Sequence, residues 1–335
     1  MQYIEIPLSE NRTRLDRCIR RLLGNINQAV LEKFLRSGLI LLDKKKVKSS
    51  IKVETGQKIY FSSEINFEKK QNKKLWDFHT YEFYKNLFNK ICIKNTKHYI
   101  ALNKPNGLAV QGGTSQKYHI DEMFKYLFED HNIPKLVHRI DKDTSGLLLL
   151  ATNQSSAKQL TSNFREKQII KTYLALVSPC PKSNMDILNL PLHKSGFREK
   201  QKIEVNFLKG KNAVTQYKVI DKNSDNFALL ALYPKTGRTH QIRVHLNYIN
   251  SPIVGDKKYN GLNRSKFYEN KTFRHKKIIN SSNETLLTKN LQLHAYSIRM
   301  PSNEVIEAEI SKDFKKNLKI LGLSLPENVS KIFVK

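Results

Sequence analysis

The segment LVHRIDKDTSGLLLLAT, residues 136–152, sets Arg139, Asp141 and Asp143 directly before an apolar run. Two carboxylates at i and i+2 of an extended segment share a face at roughly 7 Å, an arrangement suited to hydrolysis of a glycosidic bond. The non-catalytic alternative is a solvated loop whose arginine and aspartates pair with each other. The wording HRID does not extend to a kinase catalytic loop, where the aspartate directly follows the arginine and a glycine-rich phosphate loop accompanies it. A second segment, YPKTGRTHQIRVHLNYI (233–249), has a turn at Thr236–Gly237 and an N-cap candidate in Thr239. A helix over 240–250 then turns Ile242, Leu246 and Ile249 to the core and leaves Arg243 at the edge of that face. A half-buried guanidinium needs a carboxylate, and Asp141 is the candidate. His240 and His245 lie about 140° apart on a helix, so they do not share a metal ion as an i, i+4 pair would. In a third segment, KTYLALV (171–177), strand alternation puts Tyr173, Ala175 and Val177 on one face. Tyr173 is then either a core aromatic or a ring in a cleft.

The elements that must hold these residues follow from periodicity. Gly146 to Thr152 is a short buried strand, so the charged loop before it is braced on a rigid element. From residue 98 onward, HYIALNKP, GLLLLAT, KTYLALVS, VTQYKVI, FALLALYP, LQLHAYSIRMP and EVIEAEI read as strands, with helices over 156–168, 240–250 and 313–321. The expected class is α+β with a mixed, largely antiparallel central sheet. Residues 256–290, rich in Asn and Lys, read as a basic insertion loop. Residues 63–97 read as a linker whose aromatic end, Trp76, Phe78, Tyr81, Phe83, Tyr84 and Phe88, either stacks on bases or docks on the next domain.

Residues 12–62 have a pattern of their own. RTRLDRCIRRLLG and NQAVLEKFLRSG carry helical spacing, the second stopping at Gly38, and short strands follow around the basic turn Asp43–Lys46. Two helices and a small basic hairpin resemble the S4-like RNA-binding module, with Arg14, Arg20, Arg21, Lys33, Arg36, Lys44, Lys45 and Lys46 as candidate RNA contacts. An ordinary basic subdomain is the alternative. In the whole chain 59 Lys and Arg stand against 30 Asp and Glu, a net +29 over 335 residues, which attracts polyanions and makes nucleic acid the first candidate partner. No apolar run approaches the roughly 20 residues of a membrane span, and the N-terminus lacks a signal-peptide core, so a cytoplasmic protein with no membrane partner is expected. Cys18, Cys92 and Cys180 suit neither a zinc knuckle nor a disulfide framework.

Taken together, NKPNGLAVQGG (103–113), HRIDKDTSGLLLLA (138–151), KTYLALV (171–177), TGRTHQIRVHL (236–246), SPIVGDKKY (251–259) and LQLHA (291–295) resemble, in order and wording, the RluA-like pseudouridine synthases. With the basic N-terminal module the chain is most similar to the RluC type, which modifies large-subunit (23S) ribosomal RNA. Ile140 stands where leucine is usual, and Gln111 where histidine is frequent. The resemblance implies the pseudouridine synthase fold over 98–325 and isomerisation of uridine with no cofactor and no metal. It also implies roles: Asp141 as nucleophile, Arg243 as its partner, Tyr173 stacking on uracil and taking the C5 proton, and Arg139 filling the space left by a flipped nucleotide. Asp143 has no role in that pattern. The expected partner is large-subunit ribosomal RNA or its assembly intermediate, met by a monomer in a bacterial cytoplasm. A non-catalytic RNA-binding assembly factor is the alternative.

Overall fold

In the computed structural model the described residues are 1–24, 26–65, 67, 78–112, 118–128, 132–196, 201–259, 287 and 290–333. They fall into two units, Met1–Asp77 and Phe78–Lys335.

In the first unit, helices Leu15–Leu22 and Gln28–Ser37 pack on a three-stranded antiparallel sheet in the order Gln2–Glu5, Lys58–Phe61, Ile40–Leu42. Leu15, Cys18, Ile19, Leu31, Leu35, Ile40 and Ile59 form its core. Asn27 caps the second helix by accepting a hydrogen bond from Ala29 N–H, and Gly38, at φ +83°, ends it in the left-handed conformation expected of it. Two expectations need correction. The unit begins before residue 12, because Gln2–Glu5 supplies a strand. The basic turn at Asp43–Lys46 closes no more than a single antiparallel bridge, Leu42 with Lys45, and the strand Ile40–Leu42 takes its ladder from Lys58–Phe61, well beyond it.

The second unit is built on a ten-stranded mixed sheet. Its main path runs Cys92–Asn95, Tyr99–Lys104, Ser145–Ala151, Leu293–Arg299, Ile170–Val177, Ala228–Pro234, Val214–Lys222, Met185–Asn189. Among the described pairs only Leu293–Arg299 with Ser145–Ala151 is parallel. Every residue of Ser145–Ala151 is buried, because both faces of that strand are covered. Leu148 and Leu150 pack toward Tyr84, Met123 and Phe124, while Leu147 and Leu149 pack toward Leu160 and Ile169. Further along the sheet, Leu174 and Leu176 meet Phe314 and Leu318 of the helix Lys312–Leu321. On the opposite face Ala175 and Val177 meet Ile242 and Leu246 of the helix Gln241–Tyr248. Tyr173 touches both clusters of that face, so it lies at the seam between them.

The segment 63–97 is not all linker. Phe78–Ile91 is a helix and Cys92–Asn95 an edge strand of the second unit. Tyr84 is buried with its hydroxyl donating to Glu122 at 2.7 Å, and Phe88 packs edge-on against Phe124. Trp76 lies outside the described residues. The helix expected over 156–168 runs Gln154–Arg165 from an Asn153 cap, and the last helix starts from a Ser311 cap. Nearly all of the expected insertion loop 256–290 lies outside the described residues. No helix among them is long and apolar enough to cross a membrane.

Candidate active site

The loop carrying Arg139, Asp141 and Asp143 is clamped from below by a buried lysine. Lys104 ends the strand Tyr99–Lys104 with its ammonium fully enclosed, donating to the carbonyls of Pro105, Leu108 and Lys142 at 3.0, 2.8 and 2.9 Å. Burial pushes its pKa down to about 7, against the pull of Asp143 and Asp141. Gly107 N–H also donates to Lys142 O, and Asn106 donates to the carbonyl of Asp143. Further back, His138 accepts from Leu149 N–H at 2.8 Å and stacks on Phe164, and burial holds its ring neutral, near a pKa of about 3. A loop held at this many points presents Asp141 in one place.

Arg243 comes from the helix Gln241–Tyr248 and is 4% exposed. It meets the expected Asp141 as an ionic neighbour, but its closest partner is another acid. Nε and Nη2 each bond an oxygen of Asp256 at 2.8 Å, a bidentate pair, whereas Nη1 stands 3.9 Å from Asp141 Oδ2. Burial disfavours the charge on both partners, yet their mutual bonds prevail: the Arg243 pKa is raised and that of Asp256 lowered. Backbone N–H groups of Lys258 and Tyr259 also donate to Asp256. A charge placed this way faces Asp141 without tying it in a hydrogen bond, which leaves the carboxylate oxygens open to a substrate. The helix starts one residue later than expected and takes no cap from Thr239. His240 occupies the N-cap position with left-handed backbone (φ 53°, ψ 20°). Its Nε2 lies 3.9 Å from Asp141 Oδ2. His245 points elsewhere, to Leu190 O.

These elements enclose a cleft of about 550 Å³ that brings together all four residues singled out in the catalytic region, Arg139, Asp141, Tyr173 and Arg243. That size suits one nucleotide. Asp143 is exposed and lies outside the lining. Burial, and then the charge of Asp141, raise the Tyr173 pKa, so the free site offers a phenol ring rather than a standing phenolate. Lys171, on the same strand face as Tyr173, also lines the cleft. Burial pushes its pKa down to about 8, and its ammonium meets no acid or acceptor among the described residues.

Sequence reasoning missed Lys104, Lys171, Asp256 and Tyr259 as parts of the site, and read His240 only as a metal candidate. One signal was present: a lysine ending the apolar strand YIALNK either snorkels out or is caged. For Asp256 nothing local distinguishes it from other loop acids.

The N-terminal candidates divide. Arg14 pairs with Asp16 at 2.7 Å and Arg21 with Glu10 at 2.9 Å, while Arg20 bonds the carbonyls of Ile26 and Asp16. Lys44 sits 5.9 Å from the Tyr60 ring centroid. Lys33, Arg36, Lys45 and Lys46 are exposed, with no side-chain partner among the described residues.

Comparison with known proteins agrees with this geometry. The sequence profile of RNA pseudouridylate synthase matches residues 98–248. The chain is 37% identical over 257 residues to the ribosomal large subunit pseudouridine synthase C of Rickettsia conorii, covering 76% of this chain and 84% of that protein. It is 32% identical over 265 residues to the protein of the same name from Vibrio parahaemolyticus, covering 77% and 80%. Among solved structures, human RNA pseudouridylate synthase domain containing 4 superposes with a TM-score of 0.59 at 27% identity, over 74% of this chain and 99% of that one.

Proposed function

This chain belongs to the RNA pseudouridylate synthase family, and from that premise we propose that it isomerises specific uridines of large-subunit ribosomal RNA with Asp141 as nucleophile. The reaction breaks N1–C1′, turns the uracil while it stays bound, and joins C5 to C1′. N1 gains a proton and C5 loses one, so atoms and electrons balance without an external reductant or oxidant. The observation that carries the reading is the position of Asp141: a carboxylate oxygen held 3.9 Å from Arg243 Nη1, in a nucleotide-sized cleft shared with Tyr173. Tyr173 stacks on the uracil. Arg139, exposed at the cleft and unpaired among the described residues, takes the gap left in the RNA. Filling that gap offsets the few kcal/mol that extruding a nucleotide costs.

The first unit acts as an S4-like RNA-binding module whose contacts add affinity and position. The protein works in the bacterial cytoplasm as a monomer, on the large-subunit RNA or an assembly intermediate. The relatives' names supply the RNA, and the net charge of +29 is consistent with it. A non-catalytic assembly factor would need the basic surfaces but not the Arg243–Asp256 support behind Asp141.

The test is to incubate the full chain with large-subunit ribosomal RNA and map pseudouridine by nucleoside mass spectrometry and reverse-transcription stops. Discrete new pseudouridines are expected from the wild type and none from Asp141→Asn. Release of free uracil would mean hydrolysis instead. Tight binding without modification would point to the assembly factor.

A further inference from the structure

Asp141 has a neighbour that the nucleophile, tyrosine and arginine set leaves out. We infer that His240 is a positioning residue for Asp141, its ring tautomer set by the hydroxyl of Tyr259. The contacts favour one direction for each proton. Ile203 N–H donates to Tyr259 Oη at 3.3 Å, which occupies a lone pair of the hydroxyl and leaves its hydrogen free. Tyr259 Oη stands 2.7 Å from His240 Nδ1. With the hydroxyl hydrogen free, the phenol is placed to donate to Nδ1; in the neutral ring so arranged the N–H is on Nε2, the atom that faces Asp141 Oδ2 at 3.9 Å. Burial favours the neutral ring of His240, and it also raises Tyr259 to about 12, so the donor keeps its proton.

Tyr259 is itself held from two sides. Asp256 accepts its backbone N–H at 3.0 Å, and the Arg243 guanidinium lies 5.2 Å from its ring centroid. Asp256 thus fixes the cation opposite Asp141 and also the turn that aims His240. The backbone agrees: His240 sits in left-handed space, a conformation costly for a residue with a Cβ and kept where surrounding contacts over-determine it. In the reaction, an Nε2–H beside the carboxylate fixes which oxygen is presented to the flipped nucleotide. This role rests on the proposed activity, but the tautomer does not.

The test uses the full chain with ¹⁵N-labelled histidine and long-range ¹H–¹⁵N spectra, the His240 signals being assigned by their loss in His240→Gln. The wild type is expected to show the Nε2–H tautomer at neutral pH, and Tyr259→Phe a mixture of both. Single-turnover rates on one ribosomal RNA fragment should fall about tenfold or more in His240→Leu, the scale of a misplaced reacting group. His240→Gln, which keeps an N–H donor and meets the same backbone strain, should recover most of that loss. RNA affinity should stay within about twofold in all three, since no phosphate contact is removed. An Nδ1–H tautomer in the wild type, or Leu and Gln variants that are equally slow, would overturn the inference. If the wild type formed no pseudouridine, the functional reading would fail, and the spectra would still decide the tautomer.

Discussion

Among the described residues lining the cleft Asp141 is the one acid, against seven lysines and arginines. That imbalance suits a site that must draw in a polyanion and yet place one carboxylate against ribose or base. Asp141→Asn removes the proposed nucleophile and spares every cation, so the single-turnover rate should drop about a thousandfold or more while RNA affinity holds or tightens slightly. Turnover near that of the wild type would sink the assignment. Tyr173→Phe keeps the ring and loses the hydroxyl. Because the phenol stays protonated in the free enzyme, stacking should survive and C5 proton removal should slow; tritium released from C5-labelled uridine reads that step directly. An unchanged release rate would leave Tyr173 with stacking alone. Lys104 makes the third residue-level test. Its folded pKa, about 7, lies below the ordinary lysine value of 10.5. Between those two values the unfolded chain binds the extra proton, so this group makes stability rise with pH across that window, with a limiting slope of about 1.4 kcal/mol per pH unit. Lys104→Met should remove that contribution and, by taking the donor away from the carbonyls of Pro105 and Leu108 while Lys142 O keeps Gly107 N–H, cost about 1–3 kcal/mol. Urea unfolding of both proteins at pH 7 to 10 checks both effects.

At the scale of elements, the junction of Ser145–Ala151 with Leu293–Arg299 decides where the reactive loop stands. Gly146 faces Ala295 there at φ +105°, and a Cβ would fall 2.2 Å from Ala295 O. Gly146→Ala is therefore both strained and blocked by backbone that has no room to yield. A loss of about 3 kcal/mol or more is expected, read as a lower unfolding midpoint; an unchanged midpoint would show that the parallel pairing can part without cost. The sequence makes this strand legible because burial on both faces writes a continuous apolar run, and it makes Gly38 legible because a left-handed helix end favours glycine. The helix Phe78–Ile91 escapes the same reading. Its buried residues include Tyr84 and Ile91, set among polar and aromatic neighbours that look like linker. The site is legible to the same degree. Asp141, Tyr173 and Arg243 sit in long distinctive segments, so their types and order reveal them. Charge complementarity says that Arg243 needs a carboxylate, but not that Asp256, thirteen residues on and across a turn, reaches it before Asp141 does. His240 is hidden for another reason: its role depends on a backbone conformation and a phenol that no helical pattern encodes.

For the whole molecule, both units carry an excess of positive charge, but the cleft belongs to the second alone. All four cleft residues fall after residue 97, in a unit with its own core, while Met1–Asp77 has a separate core and a basic exterior. Within that exterior Arg14, Arg20 and Arg21 bond groups of their own unit, and their first expense would be the fold if RNA recruited them. Lys33, Arg36, Lys45 and Lys46 carry no such obligation. Each phosphate neutralised releases counterions, changing the slope of log affinity against log salt by about 0.7–0.9, so losing four such contacts should flatten it by about 3. Removing residues 1–77, at the boundary the structure gives, should therefore weaken binding of long structured RNA at low salt much more than at high salt. Mutating the four unpaired cations to Gln in the full chain should reproduce most of that change, and mutating Arg14 and Arg21 should instead lower stability. Single-turnover isomerisation by the truncated protein should persist at saturating concentration, because nothing before residue 98 lines the cleft. Affinity and rate measured on one RNA across a salt series separate the two contributions. If truncation leaves the slope unchanged, the first unit does not bind RNA; if it abolishes the rate at saturation, the unit takes part in forming the active complex rather than in recruitment alone.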